Sequence, residues 1–355
     1  MESLTRPDRK VWAAGHYLRP AFAYHYTVAG RFICVESDDE QAADLFRSYF
    51  GGWHVAPLDD ARGVRSDATI GVQMHAQAPT VPRGLESFEV AAGGVCHTDG
   101  QTYFFESHDS AIHVGAQNPS HVEVWIGKSV TAREKAALAR LAFNACMTAM
   151  RRCGLFELHG AGVVEPKRSG GVLFVGPSGS GKSTLATKLA SAGWQYLSDD
   201  TLLLFRNGES IEARALRRVF AVTAPSVASG MLAGFEDLLT EPVPFDPHKR
   251  RFEPEKIFPD GFVETCVPRN IFFPVITGEP SSRTRRLSQA ETMSQLIRMC
   301  PWACYDKPAA RAHLGVLSLL ARQSNGYELR AGADLLGDAA FVARFISASV
   351  GGEGL

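Results

Sequence analysis

The sequence lacks the features that would place it in a membrane or outside the cell. No apolar run approaches the roughly 18–20 residues that a membrane-spanning helix needs. Residues 1–10 contain no apolar stretch of the kind found in a secretory signal. The 7 cysteines are scattered and odd in number, so a disulfide framework is not expected. These absences predict a protein of the reducing cytoplasm with no membrane partner.

An excess of charge of one sign is also missing. The formal net charge is −1, which argues against a broad surface for nucleic acid. Hydrophobic residues make up 45% of the chain, enough for at least one sizeable core. The 355 residues predict about two domains, and they leave open whether the protein forms a homo-oligomer.

Residues 1–130 are predicted to form a small α+β domain without a catalytic motif. A helix is expected over 39–50, and Asp99-Gly100 is typical of a tight turn. This domain is a candidate for substrate recognition. Aromatic and β-branched residues predict strands over 22–28, 31–35, 88–91, 102–105 and 122–126.

Residues 131–355 are predicted to form the catalytic domain of an α/β protein. A capping box, Thr131 to Glu134, predicts the start of a helix of about twenty residues that ends near Gly154. A Pro-rich basic stretch occupies 245–260. Further strands are expected over 155–164, 171–175, 201–205 and 270–276, and further helices over 289–299, 309–322 and 335–348.

The sequence Gly-Pro-Ser-Gly-Ser-Gly-Lys-Ser at 176–183 matches the P-loop pattern G-x-x-x-x-G-K-[ST] at every specified position. An apolar strand enters the loop and a helix, 182–192, leaves it. Glycines let backbone amides surround phosphate oxygens, and the helix N-terminus adds positive partial charge. The motif predicts ATP or GTP binding with Mg²⁺ through Gly176, Pro177, Ser178, Gly179, Ser180, Gly181, Lys182, Ser183 and Thr184.

Two adjacent carboxylates, Asp199 and Asp200, follow a short predicted strand over 194–198. A parallel strand after the P-loop helix would place them at the carboxyl edge of the sheet, beside the phosphates. One carboxylate could serve Mg²⁺ and the other could accept a proton from an attacking hydroxyl. The alternative interpretation is a solvated acidic turn. His159 is either a satisfied core residue or a partner that tunes the base.

The segment Leu158-His159-Gly160, the P-loop and Ser198-Asp199-Asp200, in this order and at this spacing, resemble the catalytic domain of HPr kinase/phosphorylase. The resemblance covers about residues 130–205. It implies a P-loop kinase core related to phosphoenolpyruvate carboxykinase and magnesium-dependent phosphorylation of a protein serine. The overall layout is similar to HPr-kinase-like proteins of peptide-modification gene clusters, including kinases of lasso-peptide precursors, which act on peptide hydroxyls.

The resemblance also implies roles for individual residues. Lys182 and Ser183 would hold phosphate and metal, Asp199 would be the base with His159 assisting, and Asp200 would bind the metal. The roles of the two aspartates could be exchanged. The family's later basic element would correspond either to Lys249, Arg250 and Arg251 or to Arg269.

The leading hypothesis is therefore an ATP-dependent kinase that transfers the γ-phosphoryl group to a serine-type hydroxyl of a peptide, protein or small molecule. Two rival hypotheses remain: a nucleotide-binding switch or scaffold, and an ATPase coupled to a partner.

Overall fold

The structure is a computed structural model. Its described part contains two large mixed sheets, one small sheet and eight α-helices. The described residues are 20–59, 61, 63–75, 81, 83–90, 94–107, 110–116, 118–127, 132–166, 170–228, 230–240, 242–243, 246–300 and 306–351.

The strands of the first sheet come from residues 22–127. Helix α1 (Glu40–Gly51), from the same segment, packs on this sheet. Asp39 caps α1 by accepting a hydrogen bond from the Ala42 amide at 3.0 Å. The strands are β1 (Phe22–Val28), β2 (Arg31–Ser37), β3 (Ala56–Pro57), β4 (Ala68–His75), β5 (Glu86–Val90), β6 (Gly94–Thr98), β7 (Tyr103–Ser107), β8 (Ser110–Val114) and β9 (His121–Gly127).

Their spatial order is β3-β1-β2-β4-β9-β8-β7-β6-β5. The five predicted strand runs fall within β1, β2, β5, β7 and β9, apart from residue 102, which precedes β7, and residue 91, which lies outside the described residues. The sequence did not predict β3, β4, β6 or β8. The Asp99-Gly100 turn therefore joins β6 to β7, where Gly100 adopts a φ of 84°.

Helix α2 (Ala132–Arg152) packs on the first sheet. Its buried face consists mainly of small residues, including Ala142, Ala145 and Ala149, which lie in the same core as the strands of that sheet. A domain boundary at residue 130 would place α2 in the second domain. The buried face of α2, however, completes the core of the first sheet. The predicted capping box lies outside the residues whose side chains are described.

The second sheet follows α2 and mixes parallel and antiparallel pairs. Its strands are β10 (Phe156–Val164), β11 (Gly171–Val175), β12 (Gln195–Ser198), β13 (Thr201–Asn207), β14 (Ser210–Ala215), β18 (Thr265–Cys266), β19 (Pro268–Ile276), β20 (Arg283–Leu287) and β21 (Asn325–Ala331). Their spatial order is β18-β14-β13-β10-β11-β19-β21-β20, and β12 pairs with β10.

Helices cover both faces of this sheet. Alternate residues of β11 enter different cores: Phe174 packs with α3 (Lys182–Ser191) and α8 (Ala339–Gly351), whereas Leu173 packs with α6 (Gln289–Arg298) and α7 (Lys307–Gln323). This alternation explains why the strand is continuously apolar. No helix of the described chain is long and apolar enough to span a bilayer.

A third, small sheet lies beside the second. It consists of β15 (Phe220–Thr223), β16 (Pro242–Val243) and β17 (Asp246–Phe252), in the order β15-β17-β16, accompanied by the short helices α4 (Ala224–Ala228) and α5 (Pro254–Ile257). The Pro-rich basic stretch therefore contains a strand. The predicted last helix begins at Ala339 instead of 335, because Ala333–Leu336 forms a separate 3₁₀ turn.

The small residues on α2 generate a stability prediction. Ala145 is fully buried, so Ala145→Leu should overpack the core and lower the free energy of unfolding by about 1–3 kcal/mol. Urea denaturation measures the change. Arg140→Leu places the same side chain at an exposed position of the same helix and should have little effect. Equal effects of the two leucines would contradict the packing of α2.

Candidate active site

The loop between β11 and α3 is rich in glycine, and its backbone amides lead directly into the N-terminus of α3. Gly179 and Gly181 adopt φ values of 82° and 93°, a left-handed conformation that side-chain-bearing residues rarely adopt. An added Cβ at Gly179 would meet nothing within 4 Å, so backbone conformation and not space favours glycine there. Gly181 caps α3 without a side-chain hydrogen bond to the first turn. These amides are therefore disposed to receive an anion.

Lys182 lies beneath this loop and is only 5% exposed. Its ammonium donates to the carbonyl oxygens of Gly176 and Pro177, both at 2.8 Å, and to His159 Nε2 at 3.0 Å. Burial lowers the pKa of Lys182 to about 8. The surrounding protein shields the ammonium of Lys182 from water, so its attraction to a phosphate would be stronger than in water.

The hydroxyl groups of the loop point in different directions. Ser183 Oγ donates to the backbone carbonyl of Asp199 at 3.1 Å, and Thr184 Oγ1 lies 3.2 Å from Ser226 Oγ. Ser180 Oγ is buried without a hydrogen-bond partner, whereas Ser178, at the crest of the loop, is exposed. Ser183 is therefore the loop hydroxyl that faces the acidic pair.

The acidic pair interrupts a single strand. Strand β12 pairs with β10 as far as Ser198, and β13 resumes the same antiparallel pairing at Thr201. A hydrogen bond from Ser198 Oγ to the Thr201 carbonyl, at 2.9 Å, stabilises the break between the two strands. Asp199 and Asp200 are the two residues of this break.

The position of the pair corrects the predicted sheet geometry. A strand end at the carboxyl edge of a parallel sheet was expected. Instead, β10 lies between β11 and β12 and is antiparallel to both. Gly160 on β10 pairs with Val175, the last residue before the P-loop, and its amide donates to the Asp200 carbonyl at 2.9 Å. A break within a strand, and not its end, brings the carboxylates to the loop.

Asp199 is the more buried carboxylate, at 1% exposure. Its Oδ2 accepts the amide of Ala221 on β15 at 2.9 Å. Burial and the neighbouring Asp200 raise the pKa of Asp199, although the Ala221 amide, Arg217 and the Ser183 hydroxyl oppose the increase. Asp199 and Ser183 therefore form one group at the start of α3.

Asp200 is more accessible and is surrounded by cations and donors. Its side chain is 28% exposed and lies 3.4 Å from His159 Nδ1 and 3.5 Å from Arg217 Nη1. The Thr201 hydroxyl donates to it at 2.8 Å. Burial alone would raise the pKa of Asp200, but Arg217, His159 and the Thr201 hydroxyl together lower it. Asp200 is therefore the ionised member of the pair.

The hydrogen bonds of His159 indicate its tautomer. Lys182 donates to Nε2, so the ring proton belongs on Nδ1, facing Asp200. Burial is the largest influence on the pKa of His159 and lowers it, which favours the neutral ring. The family resemblance pairs His159 with Asp199, whereas the structure places it beside Asp200. The exchanged assignment left open by the sequence fits these contacts better.

Arg217 is a site residue that the sequence analysis missed. It lies between β14 and β15, bridges to Trp53 in the first half of the chain, and stacks its guanidinium 5.6 Å from the Phe143 ring on α2. No local pattern marks Arg217, because its contact with Asp200 depends on packing between distant segments.

The structure distinguishes between the two basic segments, residues 249–251 and residue 269, that the sequence left as alternatives. Lys249 and Arg251 alternate with Arg250 along β17, so they share the opposite face of that strand. Lys249 acts electrostatically on Lys182, and Arg251 acts on both aspartates. Arg269 lies at the start of β19, at the end of the sheet away from the P-loop. Of the basic residues left undecided by the sequence, Lys249 and Arg251 are therefore the ones that act on the site.

The oxygen donors of the site suit Mg²⁺, which prefers carboxylate, hydroxyl and water ligands. Ser183, Asp199 and Asp200 supply such groups beside the loop. Within the described ranges, no three His, Cys, Asp or Glu side chains gather as a preformed metal site. A Mg²⁺ ion here would share its ligands with a bound phosphate, as Mg²⁺ usually does.

Comparison with known proteins identifies no family. No family model matches the chain, and no curated protein matches it. Among solved structures, the chain is similar to the Hpr(Ser) kinase/phosphatase from Coxiella burnetii, with 16% sequence identity and a TM-score of 0.28 over 56% of this chain and 99% of that chain. A TM-score at this level does not establish a shared fold and assigns no function.

The buried Asp199 generates a prediction about stability and pH. Because folding raises the pKa of Asp199, ionisation costs stability increasingly as the pH rises from 3.8 through the raised value. Asp199→Asn should therefore stabilise the ligand-free protein by about 1–2 kcal/mol at pH 8, and the gain should shrink toward pH 4.

Urea denaturation of both proteins at pH 4, 6 and 8 measures this difference. Asp237→Asn, at an exposed position, serves as the control and should show no pH-dependent gain. A loss of stability at pH 8, or a difference that does not change with pH, would contradict the raised pKa.

Proposed function

We propose that the protein is a magnesium-dependent kinase that transfers the γ-phosphoryl group of ATP to a serine-type hydroxyl. The observation that carries the proposal is the contact between two halves of a site: the P-loop lysine, Lys182, donates to His159, and His159 faces the accessible carboxylate of Asp200. A nucleotide-binding loop alone would not need this second half.

The buried half of the site would hold the nucleotide. Bound Mg²⁺ and ATP supply the transferable phosphoryl group and the cation that offsets its charge. The loop amides and Lys182 would contact the phosphates, and Ser183 with Asp199 would hold the metal. The contact between these last two residues supports this assignment. Asp199 would lose its proton when it binds the metal.

The accessible half would receive the acceptor. His159 and Asp200 have side-chain exposures of 37% and 28%, so a hydroxyl can approach them. Asp200 is ionised, and its carboxylate oxygen would orient the hydroxyl and take its proton. The Nδ1–H of His159 would hold the carboxylate in position. This arrangement exchanges the aspartate roles implied by the family resemblance.

Arg217, Lys249 and Arg251 would adjust the charge of the site. Arg217 keeps Asp200 ionised through a contact of 3.5 Å. Lys249 and Arg251 lie on the face of β17 that acts on the site, where positive charge would favour a phosphate or an acidic acceptor. The acceptor class, a serine of a peptide or protein, is proposed from the family resemblance.

The primary test follows label from γ-labelled ATP and Mg²⁺ onto hydroxyl-bearing peptides, including those encoded beside the gene. The unaltered protein should transfer label to a serine. Asp200→Asn should lower kcat by about 10²–10⁴-fold with little change in Mg·ATP affinity, because it removes a base. Asp199→Asn should instead raise the Mg²⁺ concentration needed for half-maximal activity.

Asp237→Asn again provides the matched control and should leave both parameters unchanged. Phosphate release without an acceptor would favour the ATPase hypothesis, and tight ATP binding with neither transfer nor hydrolysis would favour the switch. Either result would contradict the kinase proposal. If Asp199→Asn lowered kcat and Asp200→Asn raised the Mg²⁺ requirement, the aspartate roles implied by the family resemblance would be correct.

Arg217 is predicted to act through Asp200. Arg217→Gln should raise the pKa of Asp200 and shift the acidic limb of the kcat–pH profile to higher pH by about 1–3 pH units. Arg269→Gln is the matched control, since Arg269 lies at the far end of the sheet. A uniform loss of activity at every pH would indicate only a structural role for Arg217.

A further inference from the structure

A second cationic cavity lies away from the P-loop, where the first sheet, α2 and α7 meet. Its volume is about 440 Å³, within the range of small-molecule sites. Arginines from three elements line it: Arg31 on β2, Arg151 and Arg152 at the end of α2, and Arg206 on β13. We call it the seam cavity, because these elements come from both large sheets and from the helix between them.

Two of the arginines are buried and paired. Arg151 forms a bidentate ion pair with Glu157, and Arg152 Nη2 lies 2.9 Å from Asp306 Oδ1. The side chains of Arg151 and Arg152 are only 5% and 7% exposed. Each of these charges is therefore fixed in place by a carboxylate.

The other two arginines are exposed and face neutral acceptors. Arg31 Nε donates to the Cys153 carbonyl at 3.0 Å, and Arg206 Nε donates to the Gly208 carbonyl at 2.8 Å. Carbonyl groups orient these guanidinium groups but do not neutralise them. Four arginines against two carboxylates leave the cavity with an excess of two positive charges.

The buried pair also has unused hydrogen-bonding groups. Arg152 Nε is buried without a partner, and so is Asp306 Oδ2. Such groups are rare in folded proteins because each loses its bond to water. Both atoms are covered by protein, and of the two residues only Arg152 lines the cavity, so an anion there would meet Arg152 and not Asp306.

We propose that the seam cavity binds a phosphate-type oxyanion, either inorganic phosphate or a phosphomonoester. Phosphate oxygens match the planar donors of arginine in geometry and in charge. This site is separate from the proposed nucleotide site. Phe156 lines the cavity and begins β10, and His159 follows three residues later, at about 10 Å along the strand.

An anion bound in the seam cavity would link the two large sheets. Arg31 belongs to the first sheet and Arg206 to the second, so an anion held by both adds contacts across the seam. The ligand should therefore stabilise the whole protein, in proportion to its occupancy.

The test uses full-length protein carrying Lys182→Ala, which weakens phosphate binding at the P-loop. Inorganic phosphate and glycerol phosphate are titrated by calorimetry, with thermal melting as a second readout. Both titrations should still show a binding site. Adding Arg31→Ala and Arg206→Ala should weaken the affinity by about tenfold for each arginine removed, the usual contribution of a hydrogen bond between charged groups.

A charge-matched control removes Arg140 and Arg298, two exposed arginines outside the cavity. Arg140→Ala with Arg298→Ala should leave the affinity unchanged. Arg152→Lys tests a buried arginine of the lining: it keeps a cation beside Asp306 but removes the planar guanidinium, so binding should weaken while the ligand-free protein remains folded. Circular dichroism checks the fold of each variant.

Tighter binding of glycerol phosphate would identify a phosphomonoester as the ligand, and tighter binding of inorganic phosphate would identify the free ion. Absence of binding in the Lys182→Ala protein would overturn the proposal. The same holds if removal of Arg31 and Arg206 has no larger effect than removal of the control pair. Neither result would affect the proposed kinase activity, which is measured at the P-loop.

Discussion

The hydrogen bond from the Gly160 amide to the Asp200 carbonyl aligns the whole candidate site. Gly160 pairs with β11 on one edge of β10 and meets the break between β12 and β13 on the other. A Cβ at Gly160 would lie 3.0 Å from the Phe174 carbonyl, closer than side chains normally approach. The absence of a side chain therefore allows three strands to bring the P-loop, His159 and the acidic pair into one row.

This row runs from a cation through a neutral ring to an anion and a second cation, and the order gives each group a distinct environment. The ammonium of Lys182 contacts His159, His159 faces Asp200, and Asp200 faces Arg217. Asp199 is outside this series and is more deeply buried, so its pKa rises while that of Asp200 falls. Two adjacent carboxylates with pKa values driven apart are typical of a division of labour. The predicted cost of this burial to stability is of the kind that functional sites commonly carry.

The parts of the site that were predictable are those encoded locally. The P-loop depends on glycine conformations and on the strand and helix beside it, all within residues 171–191. The proximity of the acidic pair was also expected, but for a different reason, since the sequence cannot show that β10 is antiparallel to its neighbours. The pairing of His159 with Asp200 depends on that register, and it could not be read from the spacing of the motifs. Strand β17 was missed because its charged and proline residues resemble a loop.

Arg217 shows why a site can depend on a part of the chain without catalytic motifs. Its guanidinium rests on Phe143 of α2, and its backbone bridges to Trp53 after α1. The next residue, Arg218, donates to the Trp53 carbonyl at 2.8 Å and fixes the same segment. The charge that holds Asp200 ionised is thus placed by the first sheet and its helices. Arg217 lowers the pKa of both carboxylates, so displacement of that unit would change the charge state of the acidic pair, and the N-terminal half of the chain is coupled to Asp199 and Asp200.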